Sequence, residues 1–362
     1  MKNLFPRVLT AIVIVACVIF SSFGVSYAEE ISETTKLHRE YVNRGMHYDI
    51  QEDYEKAIEC FTKAIEVDPS ISNAYFFRGC CYDKLEHYDL AIQDFTKAIE
   101  IKRDMPSVSS LYVERGKSYL AMGEIKKAAA DFAKFKELYR KYEKERASKP
   151  VANSEDISGY SERGNAYFNL EDYEQAVECF TKIIEINPND TDAYNHRGIC
   201  YNELRNYTSA IQDFNKSLEL NPNGVVAYTN RGNCYAQQGK FELAMQDFNK
   251  AIEISPHYPP AYYNRAEAYK KFGKIDLAIQ DFTKLLTEIK IVDEHFSYTE
   301  RGICYAQQGK FELAIQDFNK AIELDSSYVK AYYHRGLCYQ KLGQNEKAKA
   351  DLDIAKELGY EE

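Results

Sequence analysis

Arginine recurs nine times at a steady interval, as Arg44, Arg78, Arg115, Arg163, Arg197, Arg231, Arg265, Arg301 and Arg335. Sixteen residues after seven of these stands an aspartate: Asp94, Asp131, Asp213, Asp247, Asp281, Asp317 and Asp351. After Arg44 and Arg163 the same place holds Cys60 and Cys179. Guanidinium and carboxylate at a fixed offset have two uses. They can neutralise each other, as a buried arginine requires, or the arginines can form a row that grips an acidic ligand. Their period is that of the surrounding apolar residues, which favours structural ion pairs such as Arg231 with Asp247 and Arg301 with Asp317. The cysteines offer a second chemistry. Cys81 follows Cys60 by 21 residues and Cys200 follows Cys179 by 21, so each pair is a candidate disulfide in an oxidising compartment. The competing reading makes the cysteines small core fillers, and the segments before Cys234, Cys304 and Cys338 carry aspartate where a partner would stand. No Cys/His spacing suits a metal. There is no GxSxG, HExxH or phosphate loop, and the seven histidines are scattered. The sequence therefore points to no enzyme, no cofactor, no metal and no small-molecule substrate.

These residues are carried on a repeat. Units begin near residues 38, 72, 109, 157, 191, 225, 259, 295 and 329, and five of the eight spacings are 34. Between 231–255 and 301–325, 21 of 25 residues are identical. Numbering each unit from its start, positions 4 and 11 are always Tyr, position 8 is Gly in all but one (Ala266), position 20 is always Ala, and position 24 is Phe in all but the last (Leu352). Positions 4, 7, 8 and 11 share one face of a first helix, and 20, 24 and 27 share one face of a second. Large rings against Gly and Ala allow close helix approach. A Gly or polar turn separates the helices, and Pro69, Pro188, Pro222 and Pro256 stop the second. A fixed period of this length means a stacked array.

The unit resembles the tetratricopeptide repeat, over residues 38–362. The resemblance implies an all-α, right-handed α-solenoid of stacked antiparallel helix pairs, with the first helices lining a concave face. Fourteen extra residues before the fourth unit divide the array into repeats 1–3 (38–142), a polar linker (143–156) and repeats 4–9 (157–362). The substitution of Cys for Asp falls on the first repeat of each block. The family's Pro at position 32 is replaced by Arg103, Arg140, Lys290, Ser326 and Tyr360.

Net charge is −10, and residues 1–28 contribute only Lys2 and Arg7, leaving about −12 after them. Such a surface repels nucleic acid. Lys2 and Arg7, an apolar stretch at 8–20 and Ser26-Tyr27-Ala28 form a signal-peptide pattern over residues 1–28. Lipidation at Cys17, or retention as a membrane anchor, are the alternatives. Each places the array outside the cytoplasmic membrane, as a periplasmic or secreted protein.

On the face implied to be concave, at positions 2, 5, 6, 9, 12 and 13, the variable residues of the longer block are Asn195, His196, Asn230, Asn233, Tyr263, Asn264, Tyr333 and His334. Asn side chains offer donor and acceptor to an extended peptide backbone. The partial Asn row at position 6 looks like the ladder in the repeats of O-linked N-acetylglucosamine transferase, but Phe77, Glu114, Glu162 and Glu300 interrupt it. The dicarboxylate-clamp pattern is missing, since no repeat has Lys at position 5. Two functions fit: an exported scaffold binding a peptide or partner helix, or a structural assembly factor of an envelope or secretion complex. Export predicts a native N-terminus at Glu29 by N-terminal sequencing; an acylated Cys17 or an intact Met1 would select one of the other two fates.

Overall fold

The structure is a computed structural model that describes residues 33–102, 108–153, 156–289 and 293–360; the signal-peptide pattern and Cys17 lie outside them. Among the described residues there are helices and no strands, and no helix is long and apolar enough to cross a membrane. The helices come in pairs, one pair per repeat, forming an all-α solenoid. Repeats 1–3 are α1 (Glu33–Ile50) with α2 (Tyr54–Val67), α3 (Ser72–Lys84) with α4 (Tyr88–Ile101), and α5 (Val108–Ala121) with α6 (Ile125–Ser148). Repeats 4–6 are α7 (Ile157–Asn169) with α8 (Tyr173–Ile186), α9 (Thr191–Glu203) with α10 (Tyr207–Leu220), and α11 (Val225–Gln237) with α12 (Phe241–Ile254). Repeats 7–9 are α13 (Pro259–Lys271) with α14 (Ile275–Lys284), α15 (Glu294–Gln307) with α16 (Phe311–Leu324), and α17 (Val329–Lys341) with α18 (Asn345–Glu357).

Within a pair the contact is ring on backbone. Phe248 is fully buried, and a β-carbon at Gly232 would lie 2.9 Å from its ring; Phe318 and Gly302 repeat this at 2.8 Å. The turn between the helices is equally uniform. Position 15 adopts a positive φ in all nine repeats, and the next amide bonds back five residues, as Lys240 to the Tyr235 carbonyl at 2.9 Å and Asp53 to Tyr48 at 3.0 Å. Gly123, Gly239, Gly273, Gly309 and Gly343 take this conformation without strain. Glu52, Glu86, Glu171 and Arg205 take it at a cost of about 1 kcal/mol each. Three of those four are followed by a side chain that caps the second helix: Asp53, Asp172 and Asn206 accept from the backbone three residues on, each at 3.3 Å. A cap contributes about 1 kcal/mol, enough to offset the turn.

The recurring arginine joins three elements. Arg231 donates from Nε and Nη2 to both oxygens of Asp247 at 2.8 and 2.7 Å, and from Nη1 to Asn215 of the preceding repeat at 2.7 Å. Arg301 makes the same fork to Asp317, both at 2.8 Å, and reaches Thr283 at 3.2 Å. Arg78, Arg115, Arg197 and Arg265 follow suit, each with its own aspartate and a Thr or Asn at position 25 of the repeat before. The guanidinium also lies near two tyrosine rings of its own helix, as Arg265 does at 5.4 Å from Tyr262 and 5.9 Å from Tyr269. Burial pushes the Asp94 and Asp317 carboxyls up, and the facing arginines only partly offset it. The pair thus registers one helix on another more than it adds net stability.

The two repeats with Cys for Asp lack this fork. Arg44 is exposed, and Arg163 Nε is buried with no partner among the described residues. Cys60, Cys81, Cys179 and Cys200 are all buried, and each is a free thiol in this structure. Cys179 stands near enough to Cys200 to act on its thiol. Cys179 lies beside Arg163 and Gly164 of its own repeat. The position-10 side chains instead donate to position 12 of the preceding first helix: Cys81 to Asp49 at 3.6 Å, Ser118 to Asp83 at 2.6 Å and Cys234 to Asn202 at 3.3 Å. Burial pushes the Cys81, Cys200 and Cys234 thiols to about 12, so they stay protonated and unreactive.

Two segments depart from the regular pair. Helix α6 continues to Ser148, so 143–148 is helix, not polar linker; Glu143 and Ala147 are buried, and Arg146 and Lys149 pair with Glu162 of α7 at 3.7 and 3.0 Å. Helix α14 ends in a π-helical turn, Leu285–Ile289. The chain divides into two compact units: one holds residues up to Tyr139 with Asp325–Tyr333 and Lys349–Glu362, and the other holds Arg140–Leu324 with His334–Ala348.

Arg231→Met should destabilise the array by about 3 kcal/mol, because it strands a buried carboxylate, and adding Asp247→Leu should restore at least about 1 kcal/mol. Denaturant unfolding of the four proteins checks this; additive losses would separate the two residues. Alkylation of the unfolded chain without reductant should label every one of the eight thiols from Cys60 to Cys338, detected by mass spectrometry.

Candidate functional site: the first-helix surface

The surface left open by the core is that of the first helices, and in the larger unit it runs over α9, α11, α13 and α15. Asn230 and Asn264 occupy position 6 of successive repeats. Both are half-buried, and neither amide makes a side-chain hydrogen bond among the described residues. Asn233 accepts only a long bond, 3.4 Å, from Gln237. These three amides are available to a ligand.

The other sequence-derived site residues are more committed. Position 6 rings stack on the position 24 Phe of the preceding repeat: His196 on Phe180 at 5.1 Å, His334 on Phe318 at 6.1 Å and Phe77 on Phe61 at 5.5 Å, all within 23° of parallel. His196 Nδ1 donates to the Asp192 carbonyl at 2.8 Å, leaving Nε2 as the open ring nitrogen. Position 5 is not open surface. Val42, Val113, Thr229 and Thr299 are buried there, because the residue leans over the second helix of its own repeat. Tyr263 accordingly packs edge-on to Phe282 at 5.7 Å. Asn195 is half-buried, with Oδ1 sealed and unpartnered. Tyr333 stacks on Tyr360 at 4.4 Å and lines a cavity of about 290 Å³ with Leu352, Ala355, Lys356 and Tyr360. Tyr263 and Tyr333 thus serve the core first, and at most one edge remains for a ligand.

The Asn row ends at Glu300 for a physical reason. Glu300 is 2% exposed and is drawn onto the Lys270 ammonium, which also pairs with Glu267 at 2.8 Å. Burial, then the neighbouring Glu300 carboxylate, pushes the Glu267 carboxyl up to about 7. Sequence reasoning placed Glu300 on this face but overlooked Glu267. The signal was Glu267-x-x-Lys270 at positions 9 and 12, facing position 6 of the next repeat. Among the described residues no group of three His, Cys, Asp or Glu could hold a metal ion.

Comparison with known families identifies the repeat. Tetratricopeptide repeat models match residues 38–71, 72–105, 157–190, 191–223, 225–258, 248–280 and 329–358, and a TPR repeat model matches 303–343. A comparison with curated proteins gives no match. Similar solved structures include a tetratricopeptide repeat protein from Parabacteroides merdae, 23% identical over 78% of this chain and 98% of that one, with a TM-score of 0.44. YrrB, described as a TPR protein with an unusual peptide-binding site, is 26% identical over 51% of this chain and 94% of its own, with a TM-score of 0.39. Yeast Tom70 is 15% identical over 91% of this chain and 93% of its own, with a TM-score of 0.46. Repeat after repeat carries the family's motif on the family's helix pair, and the chain belongs to the tetratricopeptide repeat family.

Proposed function

We propose that this protein is an exported interaction scaffold that holds an extended peptide or a partner's helix on its first-helix surface. The observation that carries this reading is the pair Asn230 and Asn264, two uncommitted amides at one position of adjacent repeats. An amide presents a donor and an acceptor together, which matches the alternating groups of an extended backbone. Asn233 widens the row, and His196 offers a ring nitrogen at its other end. The core explains why these residues and not the tyrosines of positions 4 and 11 would select a ligand: those rings are held by the arginines. Export rests on Lys2, Arg7, the apolar stretch at 8–20 and Ser26-Tyr27-Ala28, and contact with a membrane would run only through that segment. The acidic balance of the chain argues against nucleic acid, and the repeat residues supply neither a nucleophile nor a cofactor cradle for catalysis.

A second reading is an assembly factor of an envelope or secretion complex. It is favoured by Leu243, Leu277 and Leu313, which stand exposed at position 19 of the second helices in three successive repeats. A row of exposed leucines suits a protein contact on that side.

The test begins with affinity capture by the mature chain from its own envelope. Asn230→Ala with Asn264→Ala should then weaken the recovered partner about fivefold to thirtyfold, at about 0.5–1 kcal/mol per lost contact, while the circular dichroism melt is unchanged. An unchanged affinity with an unchanged melt would move the contact off the first helices. Loss of binding in Leu243→Asp with Leu277→Asp would move it to the second helices.

A further inference from the structure

Repeat 7 and its junction with repeat 8 are irregular in four respects. The spacing from repeat 7 to repeat 8 is 36 residues. Ala266 stands where eight repeats have Gly. The second helix, α14, gives way to the π turn Leu285–Ile289. A charged cluster joins the first helices: from α13, Glu267 and Lys270; from α15, Glu300. The recurrent charged contact of the array is the arginine fork, which lies within one repeat and sets each cation against one carboxylate. Here one ammonium faces two carboxylates, so Glu267 and Glu300 crowd two like charges onto a single cation. Two carboxylates held at one largely buried cation repel each other, which favours a proton on one of them.

We propose that the junction between repeats 7 and 8 is a proton-dependent latch, closed when Glu267 and Glu300 share a proton beside Lys270 and loosened when both are ionised. With the proton in place, the cluster is neutral: one ammonium, one carboxylate and one carboxylic acid. Without it, a net negative charge is held where Glu300 is 3% exposed and Lys270 14%. Glu267, 40% exposed, is the member that can swing to water and relieve it. Doing so takes it away from Glu300 and leaves α13 and α15 joined through Lys270 and Glu300 alone. The charges acting on Glu267 are those of Glu300 and Lys270. Cys304 from α15 also faces the cluster, and its thiol, pushed up to about 12 by burial, stays neutral. From α14 comes the Phe282 ring, 5.9 Å from the Lys270 ammonium, and from α11 the Gln237 side chain, which engages Lys271 at 2.9 Å.

The direction in pH follows from the raised carboxyl. Glu267 holds a proton in the folded state at pH values where an unfolded glutamate has lost it, so the folded junction binds more protons than the unfolded one. Its stability is present on the acidic side and is lost as pH rises through about 7. The π turn lies beside the same junction, where a wider helical turn gives the backbone room to adjust.

Hydrogen exchange of the full chain, compared at about pH 6 and about pH 8 after correction for intrinsic rates, tests this. Amides of α13 and α15 should lose about fivefold to tenfold in protection at the higher pH, while those of α9 and α10 keep theirs. Glu267→Gln should abolish the difference, since the amide can donate to Glu300 at every pH. Equal protection of α13 and α15 at the two pH values, or an undiminished difference in Glu267→Gln, overturns the proposal. A carboxyl titration of the wild-type chain by carbon-13 NMR gives an arm free of mutation: a Glu267 midpoint in the ordinary glutamate range also overturns it.

Discussion

The structure depends on one close approach. In seven repeats the ring at position 24 occupies the space that a β-carbon at position 8 would fill, so the helices of those pairs meet backbone on ring. Burying such a ring contributes about 2–3 kcal/mol per repeat, the largest single apolar term available to so small a unit. That contact fixes how the two helices of a repeat lie together, and everything else is attached to it. The arginine one residue earlier is thereby aimed at the aspartate one residue before the ring. Its remaining nitrogen is carried to the neighbouring repeat. Position 6, on the opposite side, is left over the preceding ring and becomes the surface.

The same constraint decides which residues are free to recognise anything. Rings placed at position 6 settle onto the phenylalanine beneath them, as His196 and His334 do. Amides cannot gain much there, and so Asn230 and Asn264 stay outward with their polarity unspent. An acid at the same position is drawn to whatever cation lies within reach, which is how Glu300 leaves the surface for Lys270. The interruptions in the Asn row are therefore of different kinds, and only the geometry tells them apart.

Much of this was legible in the sequence, because the period repeats each contact many times over. The helix pairs follow from Tyr, Gly, Ala and Phe at fixed places, and Arg231 and Asp247 could be matched because their offset recurs. What periodicity could not supply was direction. The 21-residue offset of Cys60 and Cys81 says nothing of what each thiol faces: Cys60 lies beside its own repeat's Arg44, and Cys81 donates to Asp49. Position 5 looked like surface by helical spacing, yet Thr229 and Thr299 are buried, since the second helix reaches further round than a helical wheel shows. Glu267 was overlooked because its partner lies in the next repeat, across an irregular spacing that no internal comparison could align.

The arginine's third bond makes neighbouring repeats conditional on one another. A repeat folded alone leaves that nitrogen empty, so stacking completes the hydrogen bonding of the interior as well as its packing. The acceptors at position 25 are Thr62, Thr96, Thr181, Asn215, Asn249, Thr283 and Asn319, and in repeat 3 the place is taken by Ala133, which has no acceptor to offer. Arg163, the residue that would have used it, has also lost its aspartate to Cys179. In a linear lattice of coupled units this is the one bond omitted from the interior, and it falls before repeat 4. The coupling that this bond carries is therefore interrupted at one step of the array, and there Arg146 and Lys149 on α6 reach across to Glu162 in its stead.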